Sequence, residues 1–536
     1  MTNTYFKPLD NDNVKLEVLR LRNERISMQQ IAKTLGIPYT SIHRFLSKNS
    51  HHQWWSEHDK PLAAGNLHDH HSQLKSFTNK HYILTSAQNN TFVHRNFWAA
   101  LQVMAKRYDA KILVGTFSYN KNGFQNLQKD DGDWFDPLVV PHICSEPIAL
   151  APDLVYCGEL NILPTAVTPL SGLHSYTKGA SGIFPHAKVQ MEAMPRQKGE
   201  SPRHLYTTGT VTQRNYIEKK EGQKASFHHV FGALFVEIDE DGDWFARQLI
   251  AETETGHFFD LDTKYTQTGF EPTRVIAINH GDIHAEKVDP NVIAGAFVGK
   301  HCMVDTLRPQ YQFVHDVCDF SARNHHNIND PYFRFGAFVR KQETVEDDIK
   351  TVCDTLGYMV RPYGEVIVVE SNHDLALKRW LKTADYKTDP ANALFFLELQ
   401  FMQYKSIADG RTDFSIFEYA VKSRDSSLSN IRFLRTDESF KICGVDGIEC
   451  GSHGDLGPNG AKGSAQAFTK LGSRYNLGHS HSARIIDGVY QAGTYSKLDM
   501  GYNQGASSWS HSAIITHRNG KRQIVTFRGY KWRAKQ

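Results

Sequence analysis

The chain has 536 residues, 40% of them hydrophobic and 11% aromatic, and a formal net charge of +3. That length and composition predict about three globular domains with ample cores, exclude a disordered chain, and leave any nucleic-acid contact to local basic patches. Seven cysteines without a Cys-x-x-Cys pair argue against a disulfide framework or a structural zinc and for a reducing compartment.

The polar start, Met1 to Asp12, and the lack of any run near about 20 apolar residues argue against secretion and against a membrane partner. Cytoplasmic residence is the expectation. The 28 histidines are well above ordinary usage, and several are clustered.

In chain order, residues 1–56 read as a small all-α unit. Ile31, Ala32 and Leu35 form one helix face, Gly36 permits a tight turn, and Ile42, Phe45 and Leu46 form a second face. This pattern predicts a helix-turn-helix that presents Tyr39, Thr40, Ser41, His43 and Arg44 to DNA. A helical hairpin used only for packing remains the alternative. Residues 57–80 read as a linker, in which His68-Asp69-His70-His71 reads as a solvated cluster.

From 81 to 265 the texture becomes α/β. A strand His81–Thr85, a helix Phe92–Tyr108 and a strand Lys111–Phe117 predict a βαβ unit with parallel strands. Further apolar runs at Leu154–Cys157, Lys188–Met191 and Val230–Ile238 continue an α/β or mixed domain. Asp241-Gly242-Asp243-Trp244-Phe245 repeats Asp131-Gly132-Asp133-Trp134-Phe135, which reads as convergent hairpin chemistry. No phosphate-binding glycine motif occurs, and the role of this domain is not legible.

From 266 to 536 five polar loops share one character, several of them directly after apolar strands. Asp282 and His284 follow Arg274–Ile278, and Asp316 with Asp319 follows Tyr311–Val314. Asn372, His373 and Asp374 follow Glu365–Val369, and His453 and then His479 with His481 complete the set. In an α/β sheet such loops gather at one edge, and mixed carboxylate and imidazole donors suit a divalent metal.

The ordered set Asp-x-His, Asp-x-x-Asp, Asn-His-Asp, His, Gly-His-x-His resembles the calcineurin-like metallophosphoesterase superfamily, its nuclease branch in particular. The ending Gly478 to Arg484, through Gln491 to Thr494, to Ser507 to His511 is similar to phage-encoded members associated with early degradation of host DNA. The resemblance implies a C-terminal β-sandwich flanked by helices, behind the helix-turn-helix and the middle α/β domain. It implies two divalent ions, manganese first, with zinc, iron(II) or magnesium as alternatives. Asp282, His284 and His481 would hold one ion; Asn372, His453 and His479 would hold the other, and Asp316 would bridge. His373, paired with Asp374, would serve the scissile phosphate.

Two positions depart from the family pattern, His315 and Ser371, where glycine is usual. Glu286 and the pair His325-His326 are read either as outer contacts to the site or as ordinary surface and packing residues. The functional expectation is a metal-dependent DNase that hydrolyses phosphodiester bonds. The alternatives are a small-molecule phosphodiesterase or phosphatase, and a catalytically idle DNA-binding host-takeover protein. A homo-oligomer, and other phage or host proteins as partners, are compatible with the middle domain.

Overall fold

The computed structural model describes residues 17–18, 21, 28–42, 75–76, 79–119, 134–324, 328–444 and 447–534. Within them the chain is a mixed α/β protein whose strands form sheets of eleven, six, four and three.

At the N-terminus the helix Met28–Leu35 ends at Gly36, whose φ of 64° allows the turn. The chain is helical again at 39–42, where Ile42 N donates to Pro38 O. Val18, Leu21, Ile31, Ile37 and Ile42 form a core of their own. Tyr39 and Thr40 are exposed and Ser41 half-buried; His43 and Arg44 lie outside the described residues, as do His68 to His71.

The βαβ unit has the expected parallel register. The strand His81–Gln88 runs beside Lys111–Phe117, with Tyr82 opposite Lys111 and Gln88 opposite Phe117. The joining helix Arg95–Tyr108 begins later than expected, because His94 caps it by accepting the Phe97 N–H. Its buried stripe Phe97, Trp98, Leu101 and Met104 has the 3–4 spacing that faces a sheet. The apolar run Lys188–Met191 becomes strand only at Met191. Lys188 is held off that path, its ammonium bonded to Val167 O and Asp487. The Asp241-Gly242-Asp243 turn joins two antiparallel strands, Gly232–Ile238 and Trp244–Ile250.

The six-stranded sheet organises the C-terminal half. Its order is Arg432–Leu434, Glu365–Val369, Tyr311–His315, Ala277–Asn279, Ser512–Thr516 and Arg522–Thr526. The first four strands are parallel and the last two close it antiparallel. One face packs on helices through Val314, Val368, Ile349 and Trp380. The other meets the eleven-stranded sheet, where Ala277, Phe313 and Ile367 lie against Ile448 and Cys450. The eleven-stranded sheet itself draws on both halves of the chain, since Met191–Met194 pairs with Arg484–Ile486.

Three buried histidines away from the polar loops set an acid limit on this fold. Burial holds His186 down to about 4, His204 to about 3 and His517 to about 4. Between pH 6.5 and 4 each binds a proton in the unfolded chain and not in the native one. Stability is therefore full above pH 6.5 and lost as pH falls, by about 4 kcal/mol per pH unit for the three together. Thermal melts should show a midpoint dropping steeply over that window; a midpoint flat from pH 6.5 to 4.5 would contradict it.

Candidate metal centre

Parallel strands end at one edge, and their loops converge there. Asp282 and His284 follow Ala277–Asn279, Asp316 and Asp319 follow Tyr311–His315, and Asn372 to Asp374 follow Glu365–Val369. The eleven-stranded sheet delivers the rest: His453 after Ile448–Glu449, and His479 and His481 after Arg474–Leu477.

Two donor groups form around Asp316. Asp282, His284, Asp316 and His481 bring ligand atoms within 4.8 Å of one another, and so do Asp316, His453 and His479. Asp316 Oδ2 lies 3.2 Å from His453 Nε2 and 3.6 Å from His284 Nε2, so one carboxylate serves both groups. Asp282 Oδ2 is 3.2 Å from His481 Nε2, which in turn faces His284 Nε2 at 3.0 Å. Asn372 precedes His373, whose ring is 4.8 Å from that of His284.

These side chains fit a divalent cation better than they fit each other. Both oxygens of Asp282, Oδ1 of Asp316, both nitrogens of His453 and Oδ1 of Asn372 are buried without a hydrogen bond. Leaving such groups unpaired costs about 1–3 kcal/mol each, whereas bound cations would satisfy the carboxylate and amide oxygens and one ring nitrogen of His453. The charges agree. Burial alone would lower His453, but Asp316 and Asp282 overcome it and push it up to about 10. Burial opposes ionisation of Asp316 too, yet His453 and His373 hold its carboxyl well below the usual range. The cluster thus demands positive charge.

Backbone strain marks the same place. His284, Asp316, His479 and His481 have φ of 47°, 43°, 75° and 58°, the left-handed region that costs non-glycine residues about 1–3 kcal/mol each. The loops are pinned to one another: His284 N donates to Asp316 O, Asp282 N to Gly493 O, and Gly478 N to His453 O. Gly478 is required for space, since a Cβ there would lie 2.2 Å from Asp282 Oδ1.

The surrounding residues orient the donors. Asp319 Oδ1 lies 3.3 Å from His284 Nδ1, the arrangement that fixes a ligand histidine's tautomer. Glu286 is half-buried, and its carboxylate accepts the N–H groups of Asp319 and Phe320 and so shapes that loop. His325 and His326 lie outside the described residues.

His373 is not partnered by Asp374. Its Nδ1 is 3.3 Å from Asp319 O, while Asp374 accepts from Cys318 N and Ser371 Oγ. Burial, and then Asp316, raise Asp374 to about 7. The cause is helical: Asp374 stands immediately before the helix Leu375–Thr383 in helical geometry, which turns it inward. Ser371, where glycine was expected, therefore has a definite job. His315, the other departure, is buried 5.6 Å from the His453 ring, in the space that Gly478 leaves.

Of three further residues near the centre, Lys287 and Tyr502 carried no sequence signal, and Trp509 entered only within the Ser507 to His511 stretch of the resemblance. Trp509 packs edge-on against His481 at 4.2 Å, and Lys287 sits over Tyr502 and 3.3 Å from Asp319. Tyr502 and Trp509 come from a loop far along the chain and Lys287 from just after His284, and nothing in their own spacing marks them.

Compared with known proteins, the chain is 44% identical over 486 residues to Protein A1 of Escherichia phage T5, covering 89% of this chain and 87% of that protein. No family model and no solved structure matches it.

Proposed function

The chain belongs to the family of Protein A1 of Escherichia phage T5, and on that premise we propose that it is a phage deoxyribonuclease of the calcineurin-like metallophosphoesterase kind. In this reading it resembles the first-step-transfer DNases of T-odd tailed phages and degrades host DNA in the host cytoplasm. The observation that carries the reading is the buried donor set, with one carboxylate shared between two histidine groups. The facing of the six- and eleven-stranded sheets, with helices outside, supports the same architecture.

Asp282, His284 and His481 would hold one divalent ion, and Asn372, His453 and His479 the other, with Asp316 between them. Bound there, two ions would supply Lewis acidity toward the phosphodiester and lower the pKa of water, with manganese suited to the mixed nitrogen and oxygen donors. The chain's own residues do the rest. Asp319 fixes the His284 ring and holds His373 at the mouth, so that Nε2 of His373 is the nitrogen left to protonate the leaving oxygen. Asp374 acts one step back, anchoring the Cys318 backbone on which Asp319 depends. Tyr39, Thr40, Ser41, His43 and Arg44 engage duplex DNA.

The test is direct. Protein reloaded with manganese should cut plasmid and linear DNA, lose the activity in chelator, and regain it with added manganese. Turnover of p-nitrophenyl esters without DNA cleavage would point to a small-molecule phosphodiesterase and overturn the nuclease assignment.

A further inference from the structure

The helix Ala393–Ala408 is apolar on two faces. Phe395, Phe396 and Leu399 point inward, with Phe396 packed 4.9 Å from Trp380. On the outside Leu394 is 85% exposed, Leu397 43%, Phe401 65%, Tyr404 68% and Ile407 65%. An exposed apolar stripe of this size on a soluble chain marks an interaction site.

We propose that this stripe joins two copies of the chain, helix against antiparallel helix across a two-fold axis. The spacing carries the choice of occupant. Leu394, Leu397, Phe401, Tyr404 and Ile407 recur at intervals of three and four, the seam of a helix that pairs with another. Their positions are nearly symmetric about the point between Gln400 and Phe401. Run antiparallel, Leu397 faces Tyr404 of the second copy, Leu394 faces Ile407, and the two Phe401 rings flank the axis. A surface that complements itself in this way is what a two-fold interface requires.

Area and charge agree. With side chains of roughly 150–250 Å², the exposed fractions amount to roughly 600–700 Å² per copy, close to the about 800 Å² of a standard interface. The exposed Tyr332, Phe335 and Phe338 on the nearby helix Pro331–Val339 can add to it; Asn392 at the head of the stripe helix bonds the segment just after that helix, at Glu343 O and Val345 N. A lipid surface fits poorly, because a membrane-binding helix needs a Lys- and Arg-rich polar face. This helix carries only Glu398 and Lys405, and Glu398 is taken by Arg424.

Sedimentation velocity on the full chain tests the proposal. The wild type should run as a dimer or higher multiple of 60.9 kDa, and Phe401→Glu should weaken assembly at least about 100-fold. A monomeric wild type, or assembly unchanged in Phe401→Glu, overturns it. If Phe401→Glu fails to fold, a Leu397→Cys/Tyr404→Cys double variant should form an oxidised covalent dimer that neither single variant forms, and its absence in folded protein also overturns it. A wild type that stays monomeric and binds anionic vesicles would assign the face to lipid instead.

Discussion

Replacing Asp316 with asparagine is expected to cut DNA cleavage about 10³-fold or more and to drop bound metal from two ions per chain to below one. Asp316 is the only donor that both groups share: its Oδ2 stands 3.2 Å from His453 Nε2 and 3.6 Å from His284 Nε2. Asparagine keeps the size and removes the charge. Electrostatic stabilisation by bound ions is worth several kcal/mol at the transition state, and each 1.36 kcal/mol is about tenfold in rate. Elemental analysis alongside plasmid digestion reads both effects. Near-normal activity with two ions retained would mean that Asp316 does not bridge, and the assignment of the centre would fall with it.

His373→Ala should separate chemistry from metal binding. The ring sits 4.8 Å from His284 and groups with His284 and Asp319, outside both donor groups that contain Asp316, so metal content should stay near two. DNA cleavage should fall about 10²–10⁴-fold, the usual contribution of a positioned proton donor. The deficit should shrink markedly on a p-nitrophenyl phosphodiester, whose leaving group departs without a proton. An equal loss on both substrates would contradict the proton-donor role. Normal cleavage of DNA would remove His373 from the chemistry altogether.

The parts of the centre legible in the sequence were those written locally. An apolar strand ending in Asp-x-His, or in Asn-His-Asp, announces a strand-end loop, and three such loops from parallel strands must meet. The residues around them were not legible, because their roles depend on which loops touch. Asp319 became the neighbour of His373 only because Asp374 is turned beneath Cys318 by the helix it precedes. Lys188 opened an apolar run and is a tether to Asp487, almost 300 residues away. The outward stripe on Ala393–Ala408 was hidden by its own richness, since a helix apolar all round gives no preferred face.

The pairing of Met191–Met194 with Arg484–Ile486 has a consequence for how the chain is born. Glu192 and Arg484, partners across that ladder, are separated by 292 residues. Leu261 likewise donates to Gln523, 262 residues on. At a ribosome the middle segment emerges long before the strands that complete its sheet, and must wait with an open hydrogen-bonding edge. Contacts this distant in sequence form slowly. The candidate metal centre, built from residues 282 to 481, therefore cannot close until the segment carrying His481 has emerged. Any nucleolytic activity would stay absent from the nascent chain until then.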